Sequence, residues 1–263
     1  LKTFSALGVY GTSAITAVTV QNTVGVKYVH KLPPQVVYDQ IETVMEDIHI
    51  DAVKIGMVND AETLDAVIKA LNRHKPAFLV VDPVMVSTSG CSLMQPDALD
   101  IMRERLLPIA DIVTPNIPEA CVLAGIETYK SGEDIQNDID CMAQAIFAYG
   151  VKALLIKGGH MDGNTKNDYL YIKNGDDIKR ICLSSETVDT NNTHGTGCTL
   201  SSAIAAFAAR GMSLEQAVRC AKNYLTEALK AGADIHVGNG HGPVNHFYKP
   251  VACLTVNNTP GCK

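Results

Sequence analysis

Apolar and polar positions along the chain fall into two alternating kinds of segment. Short aliphatic and β-branched runs closed by Gly, Pro, Asn or Asp predict strands, and stretches with apolar residues three and four apart predict helices. Residues 1–8 read as the end of a helix stopped by Gly8, which suggests preceding sequence. Residues 13–20 form a β-branched run that predicts a strand buried on both faces, ending at the polar cluster Gln21, Asn22 and Thr23. Residues 24–32 predict a second short strand. Pro33 and Pro34 then open a helix carrying Val36, Val37, Ile41, Val44, Met45 and Ile48 on one face. A strand is predicted at 52–57 and an amphipathic helix at 60–71. Residues 77–85 give the clearest parallel-strand pattern, an apolar run closed by Asp82 and Pro83. A helix at 96–107 and a short strand at 111–115 follow. The next helix runs to Ala124, with Asn116 as N-cap and Glu119 closing a capping box. Further on come a long helix at 133–149 and a buried strand at 152–160 containing Lys157, Gly158 and Gly159. Residues 168–172 and 178–183 predict a hairpin around Asn174–Gly175. A small-residue helix at 200–209 is stopped by Gly211, and 214–231 is the last long helix. Residues 238–243 are Gly-rich and aperiodic.

The alternation runs from residue 13 to about 210 without repeat or linker, which predicts a single α/β domain whose mostly parallel central sheet is covered by helices on both faces. A chain of 263 residues, 46% hydrophobic and 19% charged, can bury such a core. The net charge of −6, without a long basic run, argues against a nucleic-acid surface but leaves room for a local phosphate pocket. No apolar run approaches the roughly 18 residues of a membrane span, and no signal peptide is expected ahead of Leu1. The eight cysteines contain no CxxC pair, and the eight histidines show no metal-ligand spacing. This is the pattern of reduced cytoplasmic thiols, not of a disulfide framework or zinc site.

Candidate chemistry concentrates between Asn192 and Thr199. A polar, irregular stretch leads through Gly195, Thr196 and Gly197 into the small-residue helix. A glycine-rich turn feeding a helix N-terminus leaves several backbone N–H groups unpaired and aligned, and the helix dipole adds positive charge. Together they make a phosphate or oxyanion cradle. Cys198 sits in the first turn, where thiols are often reactive. A plain tight turn with a small buried cysteine would give the same letters. Similar pairs of readings hold elsewhere. Asp82 could steer Mg²⁺ or a substrate hydroxyl, or cap its loop. Lys157 could neutralise phosphate or be a solvated strand end. Glu119 could hold water on Mg²⁺ or only cap its helix. Gln21 and Asn22 could bind a ligand or form a turn, and Ser87–Gly90 could be a lid or a loop. All the polar candidates fall at strand C-terminal ends or helix starts, and that convergence on one sheet edge favours a shared site.

Eight stretches, in order from residue 1 to about 247, carry a resemblance: 1–8, 16–23, 54–57, 82–85, 114–120, 157–160, 192–198 and 240–246. Together they resemble the hydroxymethylpyrimidine/phosphomethylpyrimidine kinases of thiamine biosynthesis, in the ribokinase-like superfamily. The resemblance implies a three-layer sandwich, with ATP-dependent phosphorylation of 4-amino-5-hydroxymethyl-2-methylpyrimidine and then of its monophosphate. It implies that Gln21 recognises the pyrimidine, with Met57 and Val84 lining the pocket. Asp82 and Glu119 would organise Mg²⁺. Asn116, Lys157, Thr193, Thr196 and Gly197 would serve the ATP phosphates. The backbone from Gly195 to Cys198 would form the anion hole, and Cys198 would stand where most of the superfamily carries an Asp base. ATP and Mg²⁺ are the implied cofactors, with a monovalent cation left open, and a homodimer is implied. A pyridoxal kinase of the same subgroup, or a pyrimidine-binding protein without catalysis, are the alternatives.

Two departures accompany the resemblance. The kinase domain is expected at 1–248, without the family's first strand and Gly/Ser-rich turn, which would leave a sheet edge exposed. Residues 249–263 form an atypical tail in which 250–256 resembles that missing strand. It is expected either to fill the vacant place or to be an extension.

Overall fold

Aliphatic runs closed by a polar residue become the core strands, and amphipathic stretches become the helices that cover them. In the computed structural model the described residues are 1–58, 60–85, 94–127, 135–159 and 164–254. The Ser87–Gly90 loop, His160 and tail residues 255–263 lie outside them. Helix α1 (Lys2–Ala6) precedes a hairpin of β1 (Ala17–Gln21) and β2 (Val26–Lys31). Then follow α2 (Pro34–Asp47), β3 (Val53–Ile55), α3 (Ala61–His74), β4 (Leu79–Val81) and α4 (Pro96–Ile101). The chain continues through β5 (Ile112–Val113), α5 (Ile117–Ala124), α6 (Ile135–Phe147) and β6 (Ala153–Ile156). It closes with β7 (Thr165–Asn174), β8 (Asp177–Glu186), α7 (Thr196–Ala209) and α8 (Leu214–Lys230).

The main sheet has the order β3-β4-β5-β6-β7-β8. Strands β3 to β6 pair in parallel, and β6-β7-β8 are antiparallel. The α/β fold with helices on both faces is therefore the one the alternation predicts. Side-chain alternation divides the core. Ile55, Val81, Val113, Leu154 and Ile156 pack with α3 and α6 on one face. Val80, Ile112, Ala153 and Leu155 pack with α7 and α8 on the other. The Asn174–Gly175 turn is present, with Asn174 opposite Asp177 and Gly175 at φ 64°. The predicted 96–107 helix widens to a π-helix over Met102–Leu106 and tightens to a 3₁₀ turn at Leu107–Ile109. Pro108 has no N–H with which to continue an α ladder.

The expectation of a doubly buried strand at 13–20 is corrected. Strand β1 pairs only with β2, in a separate antiparallel hairpin. Val18 is 48% and Val20 38% exposed. A β-branched run suits any pleated surface and does not specify its sheet. The turn decides: the Asn22 side chain accepts hydrogen bonds from the amides of Val24 and Gly25, folding the chain back locally.

Strand β3 is an edge of the main sheet. A cavity of 720 Å³ runs beside it, lined by Val53, Ile55, Ala205, Ala206 and Leu254 among others. The described part of the tail lies against the end of α1, where the Val251 amide donates to Ala6 O (3.0 Å) and the Leu254 amide to Gly8 O (2.9 Å). Residues 250–254 carry no strand ladder with β1 or β3.

Candidate active site

Parallel strands bury both faces, so polar residues accumulate where they end. Asp82 follows β4, Thr114 follows β5 and Lys157 follows β6, all at the same edge of the sheet. The register brings them together. The Lys157 amide donates to Pro115 O at 2.8 Å, and the Asp82 amide to Ile55 O at 2.9 Å. Lys157 Nζ then lies 2.8 Å from Asp82 Oδ1 and 3.9 Å from Glu119 Oε2. Thr114 Oγ1 donates to Asp82 Oδ1 (3.2 Å), and Ser201 Oγ donates to Asp82 Oδ2 (3.0 Å). With these partners Asp82 is only 1% exposed.

Electrostatics shift the two carboxyls in opposite directions. Burial alone would raise the Asp82 carboxyl, but Lys157 and then Lys54 outweigh it and hold Asp82 below the usual carboxylate range. Burial alone would lower Lys157, but Asp82 and Glu119 outweigh it and raise its ammonium pKa. This pair is ionised. Glu119 behaves oppositely: burial dominates over Lys157 and pushes its carboxyl up. The capping box holds Glu119 in place. Its Oε2 accepts from the Asn116 amide at 2.8 Å, while Asn116 Oδ1 accepts from the Glu119 amide at 2.8 Å. The structural and the chemical roles of Glu119 therefore coincide in one rotamer.

The glycine-rich turn enters α7 above this group. Gly195 has φ 79°, a conformation open to glycine at little cost. The amides of Gly197 and Cys198 have no hydrogen-bond partner among the described residues. A Cβ on Gly197 would stand 3.4 Å from Lys157 Nζ, so the ammonium lies directly beneath the helix N-terminus. Thr193 and Thr196 shape the turn, the Thr196 amide donating to Thr193 O at 3.3 Å. Asn192 anchors it by donating to Gly232 O and Ile235 O, each at 2.7 Å. The His194 amide donates to Gly242 O at 3.0 Å, clamping the turn to the second Gly-rich loop.

Asp82, Glu119, Asn116, Lys157, Gly195, Gly197 and Cys198 thus converge. Met57 and Val84 are half-buried at the neighbouring strand ends; Met57 O accepts from Thr16 Oγ1 at 2.8 Å, and the Val84 amide donates to Asp82 O at 2.8 Å. Gln21 ends β1 and is exposed, with no hydrogen bond to the cluster among the described residues.

Sequence reasoning gave no role to four side chains that build the site. Thr114 and Ser201 are partners of Asp82. Asp168 accepts from the Gly158 amide (2.9 Å) and from Lys222 Nζ (2.7 Å), holding the glycine turn after β6. Lys54 Nζ lies 3.6 Å from Cys198 Sγ. The available signal for Lys54 was a single charge within an otherwise apolar strand.

An ionised Lys–Asp pair below free helix N-terminal amides is suited to stabilising negative charge on a phosphoryl group. The chain is similar to known kinases. Residues 1–245 match the family described as phosphomethylpyrimidine kinase. A hydroxymethylpyrimidine/phosphomethylpyrimidine kinase of Rhizobium meliloti is 45% identical over 249 residues, 95% of this chain and 90% of the relative. The structure of a phosphomethylpyrimidine kinase from Clostridium difficile is 42% identical with a TM-score of 0.73, covering 87% of this chain and 90% of its own. A Staphylococcus aureus pyridoxal kinase in complex with AMP-PCP and pyridoxal is 31% identical with a TM-score of 0.81, covering 94% of this chain and 86% of its own.

Proposed function

The chain belongs to the phosphomethylpyrimidine kinase family, and from that premise we propose how its site works. The protein is a kinase of thiamine biosynthesis. It transfers the γ-phosphoryl group of ATP to hydroxymethylpyrimidine and then to the resulting monophosphate. The observation that carries the assignment of the site is the Asp82–Lys157 pair beneath the free amides of Gly197 and Cys198.

In the first transfer the substrate CH₂OH oxygen forms a bond to the γ-phosphorus as the bond to ADP breaks. Positioning and charge neutralisation supply most of the rate. Lys157 and the α7 amides, with Asn116, Thr193 and Thr196 around them, hold the nucleotide phosphates. Gln21, Met57 and Val84 serve the pyrimidine, and Cys198, reacting as the thiolate, accepts the alcohol proton and becomes a thiol. The donor set fits Mg²⁺. Among the described residues no cluster of three His, Cys, Asp or Glu forms an all-protein cage. Mg²⁺ is usually held by one or two carboxylates, water and substrate phosphates. Asp82 and Glu119 would hold it, largely through water, since both already carry protein hydrogen bonds. When bound it neutralises charge on the phosphates.

Exposed Val18, Val20 and Tyr28 on the hairpin support a homodimer. The free cysteines support a reducing, cytoplasmic setting.

The test is ADP release with ATP and Mg²⁺ on hydroxymethylpyrimidine, its monophosphate and pyridoxal. Turnover of both pyrimidines is expected. Turnover of pyridoxal alone would move the assignment to a pyridoxal kinase, and no turnover of any would leave a binding protein.

A further inference from the structure

Among the described residues two lysines, not one, reach the reacting centre, and they meet different oxygens of Asp82. Lys157 follows β6 and contacts Glu119 and the α5 N-terminus, the side assigned to ATP. Lys54 belongs to β3, three residues before Met57, the side assigned to the pyrimidine. Val53 and Ile55 pack into the α2–α3 core, so Lys54 points the other way, towards α7. Its Nζ lies 3.6 Å from Cys198 Sγ and 4.0 Å from Asp82 Oδ2, with the side chain 13% exposed. Gly56 makes this position available: a Cβ built there would collide with Lys54 Nζ. The ammonium is folded over a glycine backbone and held between a thiol and a carboxylate.

The two transfers differ most in the charge of the acceptor. In the first it is a neutral alcohol. In the second it is a phosphate monoester, dianionic near neutral pH, approaching the triphosphate of ATP. One acceptor phosphate oxygen forms the new P–O bond, the bond from the γ-phosphorus to ADP breaks, and a dianionic acceptor has no proton to release. The obstacle is repulsion between two anions, which a cation on the acceptor side relieves directly. Lys157 stands on the nucleotide side, 2.8 Å from Asp82 and 3.9 Å from Glu119. Lys54 makes longer contacts, with Asp82 at 4.0 Å, and lies beside Cys198 where the acceptor must arrive.

We propose that Lys54 is a specificity-determining residue for the second phosphorylation, pairing with the phosphate of the monophosphate substrate. The inference rests on the two-step kinase reading. Charge-assisted pairs of this kind correspond to about 10- to 100-fold in affinity.

The experiment compares wild type, Lys54→Met, Lys54→Arg and Gly56→Ala, each measured on the hydroxymethyl compound and on its monophosphate. Lys54→Met is expected to lower kcat/KM for the monophosphate about 10- to 100-fold more than for the alcohol. The difference should lie mainly in KM and be matched by weaker monophosphate binding in calorimetry without nucleotide. Lys54→Arg keeps the charge and should recover part of the selectivity. Gly56→Ala keeps the lysine but displaces its ammonium, so it should shift the ratio in the same direction. If Lys54→Met does not fold, Gly56→Ala carries the comparison. Equal losses on both substrates, or an unchanged ratio, overturn the inference while leaving the kinase reading intact. A wild-type enzyme that phosphorylates neither compound overturns both.

Discussion

Lys157 Nζ lies 2.8 Å from Asp82 Oδ1, and Asp82 is 1% exposed. A buried carboxylate this well enclosed depends on its cation. Lys157→Met leaves Asp82 with Thr114, Ser201 and the more distant Lys54 at 4.0 Å. The expected loss of stability is about 3 kcal/mol, the lower end for breaking a buried pair. The double variant Asp82→Asn/Lys157→Met should recover part of that loss, because the buried Asp82 carboxylate no longer stands without its cation. Neither variant should recover turnover, which falls about 10²- to 10³-fold when a charge-stabilising donor is removed. Urea denaturation together with ADP release checks both halves.

The same pair predicts a pH window. Asp82 is shifted below its ordinary 3.8, so its contribution is present above that value and lost as pH falls through the lower folded one. Lys157 is shifted above its ordinary 10.5, so its contribution is present below that value and lost as pH rises through the higher folded one. The stability difference between wild type and Asp82→Asn/Lys157→Met should therefore be flat from about pH 5 to pH 9 and shrink outside those limits. A difference that varies steadily across neutral pH would contradict an ionised pair.

Strand ends were legible because parallel strands buried on both faces read as apolar runs closed by one polar residue. Asp82 and Lys157 stand out on that ground, and the Asn116–Glu119 box is a local pattern of four residues. Thr114, Ser201 and Lys54 were illegible as site residues. Their importance lies in the register of β3, β4 and β5 beneath α7, which brings Ser201 Oγ to Asp82 across 119 positions. A Ser in a small-residue helix and a Lys in a short strand look ordinary until that register is known. The hairpin failed for a related reason: 13–20 has the composition of a core strand, and only its pairing partner places it outside the main sheet.

Glu119 separates stability from function. Burial raises its carboxyl above the ordinary 4.5, so ionisation at neutral pH costs folding energy. With a raised folded value, its favourable contribution is present below 4.5 and is lost as pH rises through the folded value. Glu119→Gln keeps the capping geometry, since glutamine serves at the third helical position. The variant should be as stable as wild type at pH 7.5, or more stable, while turnover falls at least about 10-fold through the lost carboxylate charge. Thermal unfolding and the Mg²⁺ dependence of the rate give the two readouts. A variant that is destabilised yet fully active would contradict this separation.

Cys198 provides a sharper comparison, because the two transfers have different proton requirements. The alcohol must lose its proton as the new O–P bond forms, whereas a dianionic monophosphate has none to lose. Cys198 is exposed at the α7 N-terminus, and its own amide contributes to the anion cradle whatever side chain it bears. Cys198→Ala therefore removes proton acceptance and retains the cradle. The first phosphorylation should slow by about 10²-fold or more, in the range for loss of a general base, and the second by much less. Lys54→Met should show the opposite preference. Equal slowing of both steps by Cys198→Ala would mean that the side chain positions the acceptor and takes no proton.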